Sequence, residues 1–462
     1  MKQKHPFLLL AFALVLLAGC HKRDAGSGVR PVSFSVKLAY EESIAALGLR
    51  KDSALVKITN LTSGTVNQAY SDAQGITYFA SLAPGNYTIT ASITIGAASY
   101  SLLSGTYVAD DVVFNGNITG QSVAAAISEA PVVLTAGKIG DWVFKQVYYA
   151  GSNTSRGASF RDQFVEIYNN SNQVLYADSL YFGQVYGVAG TANNAATPGY
   201  LPNSQYDWSK SIGQTAARAN EDYVYVKSLF MIPGTGKDHP VNPGESIIIA
   251  QTALNHTQPY ALTGGTTQGI TDPTLTIDLS GANFEGYLVD YRRSIFIPTS
   301  SSPTFSAYKW DIDNPSVPNL TVILASSMQD LLLDNLGRDA LIIFKAPAGQ
   351  DPAQWPAYPS PVETTVTSTT VKYPQIPIRH IIDAVELQRV VETARVPKRL
   401  QNSLDAGPAN VNAGEYSSQS LVRKTARTVG GRKILKDTNH SANDFITKSK
   451  ADPSKSASSF AD

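Results

Sequence analysis

Apolar and polar positions alternate along much of this chain. Val32 to Leu38 reads V-S-F-S-V-K-L, one apolar face and one polar, which predicts a half-buried strand. Two further strands are predicted at Ala54–Asn60 and Tyr87–Ile95. Turn signals stand at Ser63-Gly64, Asp72–Gly75 and Pro84-Gly85. Asp72-x-x-Gly75 suits a tight turn, because Asp bonds forward to the backbone and Gly tolerates positive φ. Pro84-Gly85 fits the central pair of a type II turn. Phe79, Leu82 and Tyr87 are the expected core plugs of this first unit.

A second series begins at Asp141–Tyr149. After a Gly/Ser/Asn loop, Phe164, Glu166 and Tyr168 share one face of a strand; Val165, Ile167 and Asn169 share the other. Asn169 to Asn172 is turn chemistry and Val174 to Phe182 returns, so a hairpin is predicted with Glu166 in mid-strand. Apolar runs recur at Leu229–Ile232, Ile247–Ala250, Leu331–Phe344 and Ile382–Glu386. The expectation is an all-β chain.

The N-terminus breaks this pattern. MKQKHPFLLLAFALVLLAGC has a positive start at Lys2 and Lys4, an apolar run from Phe7 to Leu17 and a small-residue end. The run is short for a bilayer span and reads as a secretory signal. Leu17-Ala18-Gly19-Cys20 resembles the bacterial lipobox, which implies cleavage before Cys20 and acylation there. Several acyl chains anchor stably where one binds marginally. No later stretch reaches 18 apolar residues, so the remainder is expected to be tethered to the membrane by Cys20, with His21 to Pro31 as tether. The reading is an outer-membrane lipoprotein displayed at the surface, with the periplasmic face as the alternative. Surface lipoproteins of Bacteroidota usually carry acids after the cysteine, whereas here the positions are His21, Lys22, Arg23 and Asp24.

Two resemblances follow from the motifs. The order D-x-x-G, then F-x-x-L-x-P-G-x-Y, resembles the transthyretin-like or carboxypeptidase-regulatory-like β-sandwich, implying a spacer or platform. F-V-E-I-Y-N-N-S followed by V-L-Y-A-D-S-L-Y resembles the lamin-tail domain, an immunoglobulin-like β-sandwich. Its further elements are matched by Val241–Ala250 with Pro243-Gly244-Glu245, a hairpin at Leu331–Phe344, Ile382–Glu386, and Ser420–Lys424 with Asp437–Phe445. The whole chain resembles an uncharacterised family of Bacteroidota outer-membrane lipoproteins. The expected division is a signal peptide at 1–19, a lipidated tether at 20–31, the small sandwich at 32–137, the lamin-tail-like domain at 138–447 and a flexible tail at 448–462. Large insertions are expected at Gly187–Ala217, Thr252–Thr276 and Ala346–Pro377. The resemblance implies an accessory to a TonB-dependent transporter.

Composition narrows the chemistry. Lys+Arg and Asp+Glu balance at 37 each, so no global field steers the chain toward nucleic acid. A lone cysteine excludes internal disulfides and thiolate metal clusters. No P-loop, nucleophile elbow or H-E-x-x-H is present, and no cofactor, metal or catalytic residue is expected. Glu166 is read as framework, with chemistry or ligand contact as the alternatives. Asp311-Ile312-Asp313-Asn314 is read as a solvated loop, with calcium as the alternative.

Two features point to binding. Tyr181, Tyr186, Tyr200, Tyr206 and Trp208 crowd one insertion, and exposed Tyr and Trp make platforms for sugars and proteins. Tyr200, Tyr206 and Trp208 are the candidate ligand residues, with a glycan as ligand. From Arg389 to Lys436 there are ten Lys/Arg against three Asp/Glu, a local basic bias suited to edge protection or to an anionic partner. Asp52-Ser53-Ala54 and Asp178-Ser179-Leu180 resemble the O-glycosylation triplet of Bacteroidota. The expected function is a non-enzymatic anchored binding or presenting protein. A glycan- or polyanion-binding module and a hydrolase or nuclease without recognisable motif are the alternatives.

Overall fold

The computed structural model describes residues 30–104, 111–136, 141–171, 173–326 and 328–462. The signal peptide, Cys20 and most of the tether lie outside the described residues, as does the expected boundary at 137–138. The structure is all-β. Among the described residues no helix is long and apolar enough to cross a membrane.

The first unit has seven strands: β1 (Val32–Tyr40), β2 (Leu55–Asn60), β3 (Val66–Tyr70), β4 (Ile76–Leu82), β5 (Gly85–Ile95), β6 (Val112–Val123) and β7 (Glu129–Ala136). They pair in the order β3-β2-β5-β6-β7-β1-β4. β1 runs parallel to β7 and antiparallel to β4. Alternate residues of β1, β2 and β5 meet in one core, with Phe34, Val36, Ile58, Ile89 and Phe114 sealed from solvent. Phe79, Leu82 and Tyr87 plug that core as expected. Asp72 makes its turn by accepting from the amides of Gln74 (2.9 Å) and Ile76 (2.8 Å), with Gly75 at φ +78°. The type II turn at Pro84-Gly85 is not formed. Gly85 has no positive φ and opens β5, pairing with Val123.

The larger unit is two packed sheets. Sheet one uses β8 (Trp142–Tyr148), β9 (Phe164–Asn169), β12 (Ser246–Ala250), β13 (Phe284–Glu285), β19 (Ser420–Arg423) and β20 (Phe445–Lys448), in the order β13-β12-β9-β8-β19-β20. Sheet two uses β10 (Leu180–Val185), β11 (Tyr223–Met231), β14 (Thr321–Ala325), β15 (Ala340–Lys345), β16 (Ala357–Tyr358), β17 (Tyr373–Pro377) and β18 (Ile381–Glu386). Its order is β16-β17-β11-β10-β15-β18, with β14 also on β11. Phe144, Val165, Ile167, Phe182, Phe230, Ile343 and Val385 interdigitate between the sheets.

Three expectations are corrected here. Phe164–Phe182 is no hairpin, because β9 has both edges taken by β8 and β12. β10 therefore crosses to the opposite sheet, where it pairs with β11 and β15. Leu331–Phe344 supplies only β15. Before it, the Gln163 side chain donates to Leu333 O (2.8 Å) and accepts from Leu333 N (2.9 Å), doing locally what a neighbouring strand would do. Residues 448–462 are no flexible tail. Ala451 and Ser459 are buried, Phe460 stacks edge-on against Tyr168 at 5.9 Å, and Ala461 O accepts from Thr425 N.

The two units touch through side-chain amides. Asn117 Nδ2 donates to Ala406 O (3.0 Å), Asn402 Nδ2 to Asn117 O (3.1 Å), and Asn115 Nδ2 to Thr438 O.

Candidate binding site

Glu166 sits on the outer face of β9 and is fully sealed (0% exposed). A bulge in β8 between Phe144 and Gln146 breaks the period of two there, where Lys145 and Gln146 both bond to Glu166. Lys145 Nζ meets Glu166 Oε1 at 2.9 Å and Ser459 Oγ at 2.7 Å, under the ring of Phe460. Ser246 Oγ donates to the same carboxylate at 2.5 Å. Burial pulls the Lys145 ammonium down, and Glu166 opposes that shift. A pocket of about 380 Å³ opens beside this pair, but its polar groups are engaged: Lys455 Nζ donates to Asn283 Oδ1 at 2.6 Å. The Asp311 loop departs from the solvated reading. Asp311 is 2% exposed and its carboxylate accepts from Leu288 N, so burial pushes it up to about 8. Among the described residues no cluster of three or more His, Cys, Asp or Glu is arranged for a metal ion. Ser53 and Ser179, the two triplet serines, are both exposed at φ +63° and +56°.

The insertion after β10 builds a second pocket, of about 180 Å³. Gly199 turns it at φ +87°, where a side chain would strike Pro361 O. Tyr200 and Tyr206 then pair as an isolated bridge. Asp207 caps a 3-10 turn, Trp208–Lys210, by accepting from Ser209 N. Trp208 N donates to Asn220 Oδ1 (2.9 Å). The Trp208 ring lies flat on Tyr225 at 3.6 Å and is 6% exposed. Tyr186 is stacked between Tyr206 (5.3 Å) and Tyr373 (3.7 Å). Of the three residues singled out in the sequence, Tyr206 and Trp208 line the pocket. Tyr200 stands behind, its ring 5.5 Å from Tyr206. Trp208 is a packed anchor here, where the crowding of aromatics on a loop suggested an exposed platform.

The opposite wall comes from the basic segment. Glu386, at the end of β18, is buried and accepts from the amides of Arg399 (3.0 Å) and Leu400 (2.9 Å). This fixes Lys398–Gln401 against the aromatic insertion. Burial raises the Glu386 carboxyl, opposed by Lys398 and Arg399. Burial lowers Lys398, opposed by Glu386 and Asp405. The Arg399 side chain is 3% exposed; its Nε and Nη1 make no hydrogen bond, and Asp339 lies 3.6 Å from Nη1. Asp339 is already paired with Lys227 at 2.7 Å. Gly187 makes room for this guanidinium, since a Cβ there would come within 2.5 Å of Nε. Gln401 Nε2 donates to Asn220 O (2.6 Å) and Tyr223 O (2.7 Å), leaving its buried Oε1 without a donor. Gln205 Oε1 accepts from the amides of Val188 and Tyr206, and its Nε2 donates to Pro397 O (3.0 Å), which ties the rim to the wall. No carboxylate lines this pocket.

Sequence reasoning found the aromatic insertion and the basic segment separately, and missed that they face each other. It also missed Glu386, Gln205 and Gln401. Glu386 carried a signal, as an acid closing an apolar strand and followed twelve residues later by Lys398-Arg399.

Residues 242–452 match the family described as "Protein of unknown function (DUF4876)". The matched stretch contains Lys398 to Gln401 and leaves out Tyr200, Tyr206 and Trp208. No curated protein matches the chain. A DUF4876 family protein from Bacteroides thetaiotaomicron, solved by crystallography, is 24% identical; the likeness covers 90% of this chain and 95% of that one, with a TM-score of 0.48. A candidate adhesin from Bacteroides ovatus is 10% identical over 77% of this chain and 87% of its own, with a TM-score of 0.18. A DUF3823 family protein from Bacteroides uniformis is 11% identical over 47% and 88%, with a TM-score of 0.16.

Proposed function

We propose that this chain is a non-enzymatic binding protein of the cell envelope, tethered through acylated Cys20. In this reading the small β-unit holds the larger β-sandwich clear of the membrane, and insertion loops of the sandwich meet a partner. The observation that carries it is the use made of charge. The buried ion pairs are spent on holding strands and loops together: Lys145 with Glu166, Arg161 with Asp330, and Arg423 with Asp383 (2.5 Å) and Asp437 (3.2 Å). A hydrolase would need an acid, a base and a nucleophile converging on an open cleft. The pocket between the insertion and Lys398–Gln401 offers cations, amides and tyrosines and no carboxylate.

The partner we infer is an outer-membrane transporter. The test is affinity capture from solubilised membranes with the full anchored chain, beside a Cys20→Ser form. Co-purification of a transporter in near-equal amount, and loss of membrane retention in Cys20→Ser, are the expected results. Membrane retention without any partner in stoichiometric yield would remove the accessory role. Turnover of a model ester, phosphodiester or glycoside by the purified chain would remove the non-enzymatic reading.

A further inference from the structure

We propose that the end of the first unit where the tether joins it rests on the lipid surface, with Leu61, Val66 and Ile127 entering the headgroup region. The proposal rests on the Cys20 anchor put forward above and adds a second contact to it. Strand register gathers that end. Val32 pairs with Leu82, Ser35 N donates to Ser128 O, Gly85 pairs with Val123, and Thr59 with Val66. The β2–β3, β4–β5 and β6–β7 turns therefore flank Pro31, where the tether meets β1. They read Leu61-Thr62-Ser63-Gly64-Thr65-Val66, Ala83-Pro84 and Ala124-Ala125-Ala126-Ile127-Ser128, without one charge. Arg30 and Glu129, one of each sign, stand at their margin. Leu61 is 39%, Val66 55% and Ile127 38% exposed. An uncharged end loses little on leaving water, and its apolar side chains gain at the boundary between headgroups and acyl chains.

The opposite end differs. Glu41, Glu42, Arg50, Lys51, Asp52 and Asp72 stand in its loops. Leu102 and Leu103 are exposed there too, so exposure alone does not choose between the ends. Charge and the path of the chain do. β1 and β7 run parallel, so the chain enters at Pro31 and leaves β7 at Ala136, at the opposite end, toward the larger unit. β1 has nine residues, which sets the two ends about 26 Å apart. A polar tether of about ten residues spans about 18 Å. An anchor at Cys20 thus keeps the uncharged end nearest the bilayer and the charged end, with the larger unit, away from it.

Site-specific fluorescence tests this. Cys20 is the chain's one cysteine, and acylation consumes its thiol, so an introduced cysteine alone takes a nitrobenzoxadiazole label. The acylated full chain is labelled at Thr62→Cys or Ala126→Cys, or at Gln74→Cys in the turn between β3 and β4 at the opposite end. Each is mixed with vesicles of phosphatidylethanolamine and phosphatidylglycerol doped with spin-labelled phosphatidylcholine. The labels at 62 and 126 should be quenched about threefold more than the label at 74, since quenching needs entry into the headgroup region. Leu61→Asp/Val66→Asp/Ile127→Asp changes exposed positions only. It should bring the label at 126 down to the level of the label at 74, with flotation on vesicles and melting temperature unchanged. Flotation without quenching at 62 and 126 overturns the lipid contact and leaves the anchor standing. Equal quenching at all three sites overturns it as well, because the unit would then lie flat. Quenching unmoved by the triple variant overturns the role of the three apolar side chains. Failure of the acylated chain to float removes the anchor, and this inference with it.

Discussion

Glu166 shows how one side chain is committed by its surroundings. A buried carboxylate is tolerated when its charge is paired and its lone pairs are used. Lys145, Gln146 and Ser246 supply both. Removing one partner should therefore cost much more than removing the pair. Glu166→Ala is expected to lower unfolding free energy by about 3–5 kcal/mol, because it strands the Lys145 ammonium under Phe460. The double variant Lys145→Met/Glu166→Leu should recover most of that loss, read by urea denaturation. An equal loss in the single and double variants would mean the pairing is not what holds the face. Asp311 gives a pH prediction with a definite sign. Its ordinary value is 3.8 and burial raises it to about 8, so the fold favours the protonated acid. That contribution is complete below about pH 4 and is lost as pH rises toward 8. Asp311→Asn keeps an acceptor for Leu288 N and removes the titration. The variant should flatten the fall in stability between pH 4 and 8 and be the more stable form at pH 8, by an amount on the order of a few kcal/mol at most. Parallel pH slopes for the two proteins would contradict the assignment.

At the scale of elements, the outer face of sheet one explains the C-terminal segment. β8 and β9 present Lys145, Gln146, Glu166 and Tyr168 on that face, and these need covering. Residues 451–461 supply the cover: Asp452 O and N bond the Gln146 amide, Ser459 takes Lys145, and Phe460 closes over Tyr168. Deleting residues 449–462 should lower the melting temperature by several degrees and make β8 and β9 accessible in limited proteolysis, whereas an unchanged melt would return this segment to a passive tail. The segment was hard to read because A-D-P-S-K-S-A-S-S-F-A-D has no periodicity and is polar, which is also how a disordered tail looks. Strand positions were legible, since period two marks which residues share a face: Phe164, Glu166 and Tyr168 do lie together, opposite Val165 and Ile167. Edge partners were not legible, since nothing in V-E-I-Y says whether the next strand pairs beside it or crosses to the other sheet. The same limit hid the candidate pocket. Its aromatic wall and its cationic wall are nearly two hundred residues apart, and only the crossing of β10 and the return of β18 bring them together.

Across the whole molecule, the first unit reaches the larger one at a place with consequences for that pocket. Asn115 and Asn117 on β6 bond Thr438 O and Ala406 O, and Asn402 returns a bond to Asn117 O. Asn402–Ala406 follows directly on the pocket wall, and both stretches share buried acids. Glu386 holds Arg399 and Leu400, while Asp405 accepts from Glu386 N (2.7 Å) and from Ser441 Oγ (2.5 Å). The contact with the first unit thus braces the loop that carries Arg399 and Gln401. A side-chain amide bond of this kind contributes about 0.5–1.5 kcal/mol. Asn115→Ala/Asn117→Ala removes two of them. Local opening of the 399–406 segment should then become about tenfold more frequent, seen as faster amide hydrogen exchange at Leu400, Gly407 and Ser441, with β9 and β12 unchanged. Uniform acceleration across both sheets would mean instead that the bonds act on global stability. No change would mean that the Glu386 and Asp405 carboxylates hold the loop without help from the first unit, which would then serve the larger one as a spacer alone.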